Sequence, residues 1–224
     1  MPEHTDKQYE QELKLLKEDI LKMGGLVEEM IAHSMKALVE RNSKIAEEII
    51  HKDPEVNELE MKIDERCLQL LALRQPAASD LRFITIGLRA SKDLERMGDL
   101  SVNIAEQSIE LNKEPQLKPY IDLPKMAAKT QQMVKQSLDA FVKREAELAQ
   151  TVCEMDDEVD GLNDRVFEEL VALMKRDSEA VSRAVRLLLI SRHFERIADH
   201  ATNIAEEVIF MVKGKDIRHG KIAL

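Results

Sequence analysis

Two pairs of carboxylates stand at a spacing that suits cation binding. Glu95 and Asp99 are four residues apart, and so are Glu195 and Asp199, one hundred residues further on. Residues four apart on an α-helix lie one above the other on the same face. Glu95, Asp99 and Asn103 therefore form an oxygen-rich ladder, and Glu195, Asp199 and Asn203 form a second. Like charges at this spacing repel by about 0.2–0.5 kcal/mol in an isolated helix, and a bound cation would turn that repulsion into attraction. Oxygen-only donor sets suit hard cations such as Mg, Mn, Ca or ferric iron.

The competing explanation is plain surface chemistry. A Glu and an Asp at this spacing are common on solvated faces, where Arg96 or Lys92 could neutralise them. The duplication weighs against it. Residues 94–106 and 194–206 share seven of thirteen positions without a gap, and the shared residues are Glu, Arg, Asp, Asn, Ile, Ala and Glu. Packing alone would keep apolar positions and let polar ones drift. Here the polar ones kept their places.

The elements that carry the ladders are helical. Apolar residues recur at three and four from residue 9 to residue 50, which predicts one long first helix, with Gly24-Gly25 marking a bend or a close helix contact. A second helix is expected over 54–73, with Asp53 as its N-cap and Pro54 in its first turn. Pro76 breaks the chain, Ser79 or Asp80 can cap a third helix over 80–111, and that helix bears the first ladder. Pro115, Pro119 and Pro124 mark a linker over 113–123. The pattern then starts again. Residues 30–39 align with 133–142 at an offset of 103, and Asp53 and Asn57 align with Asp156 and Asp160. These helix-two pairs also sit four apart. They are either plain N-caps or, where the second and third helices of a repeat approach, further ligands for the ladders, as in carboxylate bundle sites. The expected fold is all-α: a three-helix repeat over 1–112, its copy over 124–213 and a short tail over 214–224.

Composition excludes several function classes. The net charge of −10 disfavours nucleic acid as a main partner. Cys67 and Cys153 are isolated, which fits buried reduced thiols in a reducing compartment. No run of eighteen apolar residues and no apolar leader occur, so a soluble cytoplasmic protein is expected. Glu48 and His51 form half of a di-iron motif with no second half and read as surface. His33, His193, His200 and His219 are scattered, and only His200, beside Asp199, is placed to touch a metal. No Gly-rich phosphate loop, nucleophile elbow or catalytic triad spacing is present.

The residues also carry a resemblance. The stretch Gln75-Pro76-Ala77-Ala78-Ser79-Asp80-Leu81-Arg82, then Asp93-Leu94-Glu95-Arg96-Met97-Gly98-Asp99 with Asn103-Ile104-Ala105, and the second copy His193-Phe194-Glu195-Arg196-Ile197-Ala198-Asp199 with Asn203-Ile204-Ala205, resemble the PhoU family over nearly the whole chain. The resemblance implies a cytoplasmic, dimeric, non-enzymatic regulator without a transmembrane segment. It would damp the phosphate ABC transporter through its ATPase and repress the phosphate-starvation response through a phosphate-sensing histidine kinase. It further implies multinuclear metal clusters, with Glu95, Asp99, Glu195 and Asp199 as ligands; iron, Mn, Mg and Zn are all open. Asp53, Asn57, Asp156 and Asp160 come from the spacing argument. The two halves differ: Asn57 stands opposite Asp160, and Asp93 opposite His193, so the first cluster should be smaller or weaker. Two rivals use the same ladders. One is a carboxylate-bridged metal oxidase or hydrolase, which needs an open coordination position and a nearby general base. The other is a helical scaffold whose ladders are merely solvated.

Overall fold

The structure, a computed structural model, describes residues 7–214. Six long helices run in the order α1 (Lys7–Val39), α2 (Ser43–Arg74), α3 (Ala78–Asn112), α4 (Asp122–Lys143), α5 (Ala146–Arg176) and α6 (Val181–Lys213), with one 3-10 turn at Ser178–Ala180. No strand occurs among the described residues. The apolar stripe that predicts helix is the stripe that is buried: Leu16, Ile20, Met23, Val27, Met30, Ile31 and Leu38 of α1 are all inaccessible. The tail beyond Gly214 lies outside the described residues.

The expected first helix over 9–50 is in fact two. Arg41 takes a left-handed backbone (φ 53°), and Asn42 caps α2 by accepting the Lys44 N–H at 3.1 Å. No glycine announces the break. The Arg41 guanidinium instead reaches the end of α3 and donates to the carbonyls of Leu111 (3.2 Å), Asn112 (3.1 Å) and, just beyond the helix, Glu114. The same turn recurs at the end of α4, where Arg144 has φ 55°. Because α2 resumes after only three residues, Ile45 and Ile49 stay nearly in phase with α1, and periodicity alone cannot see the turn.

Two other expectations are corrected with it. Pro54 lies inside α2, so Asp53 is no N-cap, and Asp156 is equally interior to α5. At α3 the N-cap is Ala77, with no side-chain bond, and Asp80 is buried instead of capping. It accepts the Tyr9 hydroxyl at 3.3 Å and faces Arg144 at 3.8 Å.

The two repeats share an apolar core along α3 against α6 and α1 against α4. Gly24 is the close contact: a Cβ there would meet Leu138 Cδ1 at 2.2 Å, whereas Gly25 faces open space. Phe83 of α3 stacks on Phe141 of α4, with centroids 4.9 Å apart and planes within 10°. Both cysteines are free thiols, and burial pushes each up to about 12. Among the described residues no helix is long and apolar enough to cross a membrane.

Candidate metal centre

The first ladder is built by the closeness of α2 and α3. Gly98 lets Val56 approach so far that a Cβ would touch its Cγ1 at 3.4 Å. Asp53 and Asn57 flank Val56 on α2, and this brings them to the ladder face of α3. Burial and then the Asp99 charge push the Asp53 carboxyl above its ordinary range. Asn57 donates to Asp53 Oδ2 at 2.9 Å, while Asp53 Oδ1 is buried without a hydrogen-bond partner. Burial and Asp99 likewise raise Glu95, with Arg96 opposing. Arg96 spans the ladder, 3.5 Å from Glu95 Oε2 and 3.3 Å from Asp99 Oδ2. Lys92, the other candidate counter-ion, turns away to Glu60 and to Asp64 (3.4 Å) on α2.

The second cluster carries more charge. Asp156 and Asp160 of α5 join Glu195 and Asp199 of α6. Burial, then Asp199 and Asp160, push Asp156 up to about 6. Asp160 and Glu195 are raised by burial and then by Asp199. Glu195 is only 9% exposed, and its Oε1 is held by Arg192. Its Oε2, like Asp156 Oδ1, is buried with no hydrogen-bond partner. Buried oxygens of this kind are expensive to leave unpaired, so three of them in two acidic clusters fit a hard cation. Four carboxylates stand in the second cluster and three with Asn57 in the first. As placed, no three His, Cys, Asp or Glu side chains among the described residues form a finished cage. Arg96 holds the first ladder and Arg192 holds Glu195 of the second.

Asn103 continues the first ladder, half-buried on α3. Asn203 lines one concavity with Asp156 and Asp199 of the second cluster, and its amide also lies 3.5 Å from Asp93 Oδ1 of α3, with His200 Nδ1 2.9 Å from the same oxygen. His200 thus joins the repeats through Asp93 while bordering the same concavity as Asp156 and Asp199. Together with Arg89–Glu207 (2.6 Å), this polar seam was missed in the sequence. The only trace of it was the Asp93-for-His193 asymmetry. His193 is half-buried, its Nδ1 has no partner, and burial and Arg196 push its pKa down. Glu48 and His51 are exposed, as expected of surface.

A family model described as "PhoU domain" matches residues 20–108 and again 123–208, one copy on each repeat. The chain belongs to the PhoU family. Among its relatives, the phosphate-specific transport system accessory protein PhoU homolog of Pseudomonas aeruginosa is 39% identical over 96% of this chain and 90% of that protein. The homolog from Aquifex aeolicus is 41% identical over 94% of this chain and 96% of that protein. The crystal structure of PhoU from Pseudomonas aeruginosa superposes with a TM-score of 0.90 at 38% identity, covering 92% of this chain and all of that one. The PhoU helical bundle is therefore the fold of this chain.

The second cluster makes a pH prediction. Asp156 is raised above its unfolded value of about 3.9. Holding it ionised opposes folding above about pH 6, and the penalty lifts as pH falls through that value. In chelator, this group should make the protein melt higher at pH 5.5 than at pH 7.5. Asp156→Asn should raise the melting temperature at pH 7.5 and flatten that part of the profile, as scanning fluorimetry would show.

Proposed function

We propose that this chain is a metal-binding regulator of phosphate uptake and signalling, acting by association and not by turnover. Membership of a family whose relatives are named as accessory proteins of phosphate-specific transport supports the phosphate role. The observation that carries the metal is the pair of clusters, Asp53/Asn57 with Glu95/Asp99 and Asp156/Asp160 with Glu195/Asp199, each with a buried carboxylate oxygen left unpaired. Metal there would supply charge neutralisation that locks α2 on α3 and α5 on α6. Iron, Mn, Mg and Zn all remain compatible with oxygen donors. The chain would work in the cytoplasm as a homodimer, bound to the ATPase of a phosphate ABC transporter and to a phosphate-sensing histidine kinase, and peripheral to the membrane through the transporter.

The test is genetic. Deleting the chain from its host should raise phosphate uptake and switch on phosphate-starvation genes in phosphate-rich medium. Returning the wild-type chain should reverse both effects. If uptake and starvation expression are unchanged by the deletion, the regulatory reading fails, whatever the clusters bind.

A further inference from the structure

A concavity of about 430 Å³ opens between α5 and α6 at the second cluster, and its lining includes Asp156, Arg196, Asp199, His200 and Glu206. Three acids stand there against one arginine, so the local charge favours a cation. Arg196, Asp199, His200 and Asn203 follow one another at spacings of three and four along α6, so His200 stands at the edge of the ladder face and not behind it. Two oxygens of the cluster, Asp156 Oδ1 and Glu195 Oε2, are buried with no hydrogen-bond partner, and Glu195 as a whole is 9% exposed.

The group behind His200 is the informative part. Its Nδ1 lies 2.9 Å from Oδ1 of Asp93, on α3 of the other repeat, and both side chains are largely covered. A carboxylate accepts and does not donate, so Nδ1 carries the proton. In the neutral ring the lone pair is then on Nε2, on the other side of the imidazole. A carboxylate that holds one ring nitrogen while the other binds metal is the usual support of a metal-bound histidine: it fixes the tautomer and strengthens the free nitrogen as a donor. Asp93 and His200 have that arrangement at the rim of an acidic concavity. The first repeat has no equivalent. One hundred residues before His200 stands Leu100, buried in the core, and one hundred after Asp93 stands His193, whose Nδ1 has no partner.

We infer that His200 is a nitrogen ligand of the second cluster, with Asp93 of the first repeat as its positioning residue. The inference rests on the metal part of the regulatory reading and gives it a selectivity. Oxygen donors suit Mg, Ca and Mn, whereas imidazole suits Zn and iron. The second cluster is therefore the transition-metal site, and the first, with oxygen donors alone, is the harder one. Because Asp93 belongs to α3, a metal held by His200 also ties one repeat to the other.

The probe is Zn(II), added to the chelator-stripped full chain with nitrogen-15 in its histidine rings and followed by NMR; the His200 signals are those missing from His200→Gln. Without metal, His200 should carry its proton on Nδ1. The first equivalent of Zn(II) should shift its Nε2 signal and leave the Nδ1 proton in place. By calorimetry, His200→Gln should weaken Zn(II) binding by roughly tenfold or more and leave Mg(II) binding unchanged. Asp93→Ala should weaken Zn(II) by roughly 10–100-fold. Asp93→Asn should restore most of that loss, since its amide oxygen can still accept from Nδ1. His51→Gln, on the exposed side of α2, should change nothing. Circular dichroism confirms that each variant is folded, and the two Asp93 variants carry the test if His200→Gln is not. The inference is overturned if Zn(II) binds with the His200 signals unmoved. It is also overturned if His200→Gln or Asp93→Ala weakens Zn(II) and Mg(II) equally, which would make the pair a structural tie alone. Absence of any Zn(II) binding would remove the inference together with the metal reading, and would leave the regulator to the uptake test.

Discussion

Replacing Asp99 and Asp199 together by Asn should raise the melting temperature in chelator and lower it once metal is loaded. The two signs come from one charge distribution. Without a cation, Asp99 raises the carboxyls of Asp53 and Glu95, and Asp199 raises those of Asp156, Asp160 and Glu195. Removing the two charges relieves that repulsion. With a cation, the same two carboxylates are the centres of their clusters, and their loss removes binding energy from the folded state. A ligand at one hundred times its dissociation constant stabilises by about 2.7 kcal/mol. At about 2–4 °C per kcal/mol for a chain of this size, that is roughly 5–11 °C per site. Metal content per chain should fall in the variant, and of the single variants Asp99→Asn should strip its cluster more completely, since Asp199→Asn still leaves Asp156, Asp160 and Glu195 while Asp99→Asn leaves only Asp53 and Glu95. Ladders that are only solvated surface would give the same metal content in both proteins and no metal-dependent shift. That result would remove the metal from the proposal and leave the regulator.

Phe141→Ala should be the most costly single substitution on the seam between the repeats. The ring is inaccessible and stacked on Phe83, so truncation loses its burial and leaves a cavity between α3 and α4. Such changes cost about 3–5 kcal/mol, or roughly 6–20 °C here. Phe167, 55% exposed on α5, provides the control: Phe167→Ala should stay within about 0.5 kcal/mol. Urea unfolding measures both and asks a second question. The apolar cluster runs continuously across α3, α6, α1 and α4, so the wild-type chain should unfold in one transition and not as two separable repeats. Two transitions, or a cost for Phe141→Ala below about 1 kcal/mol, would show that the seam is weak and each repeat stands on its own core.

What could be read in advance was local or repeated. Helical period, the all-α class and the duplication are patterns of residues within a few turns of each other, and the four-residue spacing of Glu95/Asp99 and Glu195/Asp199 places those pairs on one face without any knowledge of the fold. The helix-two pairs were found by the same spacing, and the structure does set Asp53 against Asp99 and Asp156 against Asp199, though from helix interiors and not from caps.

What escaped was set by partners far along the chain. Arg41 ends α1 in a left-handed turn while its guanidinium caps α3 about seventy residues later. A turn of that kind leaves no glycine to read. Asp80 looks like a helix cap and is buried between Tyr9 and Arg144. Asn203 looks like the third rung of a ladder and also reaches Asp93 of the other repeat. Of the two cations beside the first ladder, only Arg96 stays on it, because Glu60 and Asp64 lie within reach of Lys92. His200 meets Asp93 across 107 residues of chain, which no spacing predicts. The sequence by itself determined which residues share a helix face, because 3.6 residues per turn fixes that wherever the helix goes. Which faces meet, which oxygens are left unpaired and which cations answer them were decided only when six helices closed on one core, because those contacts join residues that the chain holds far apart.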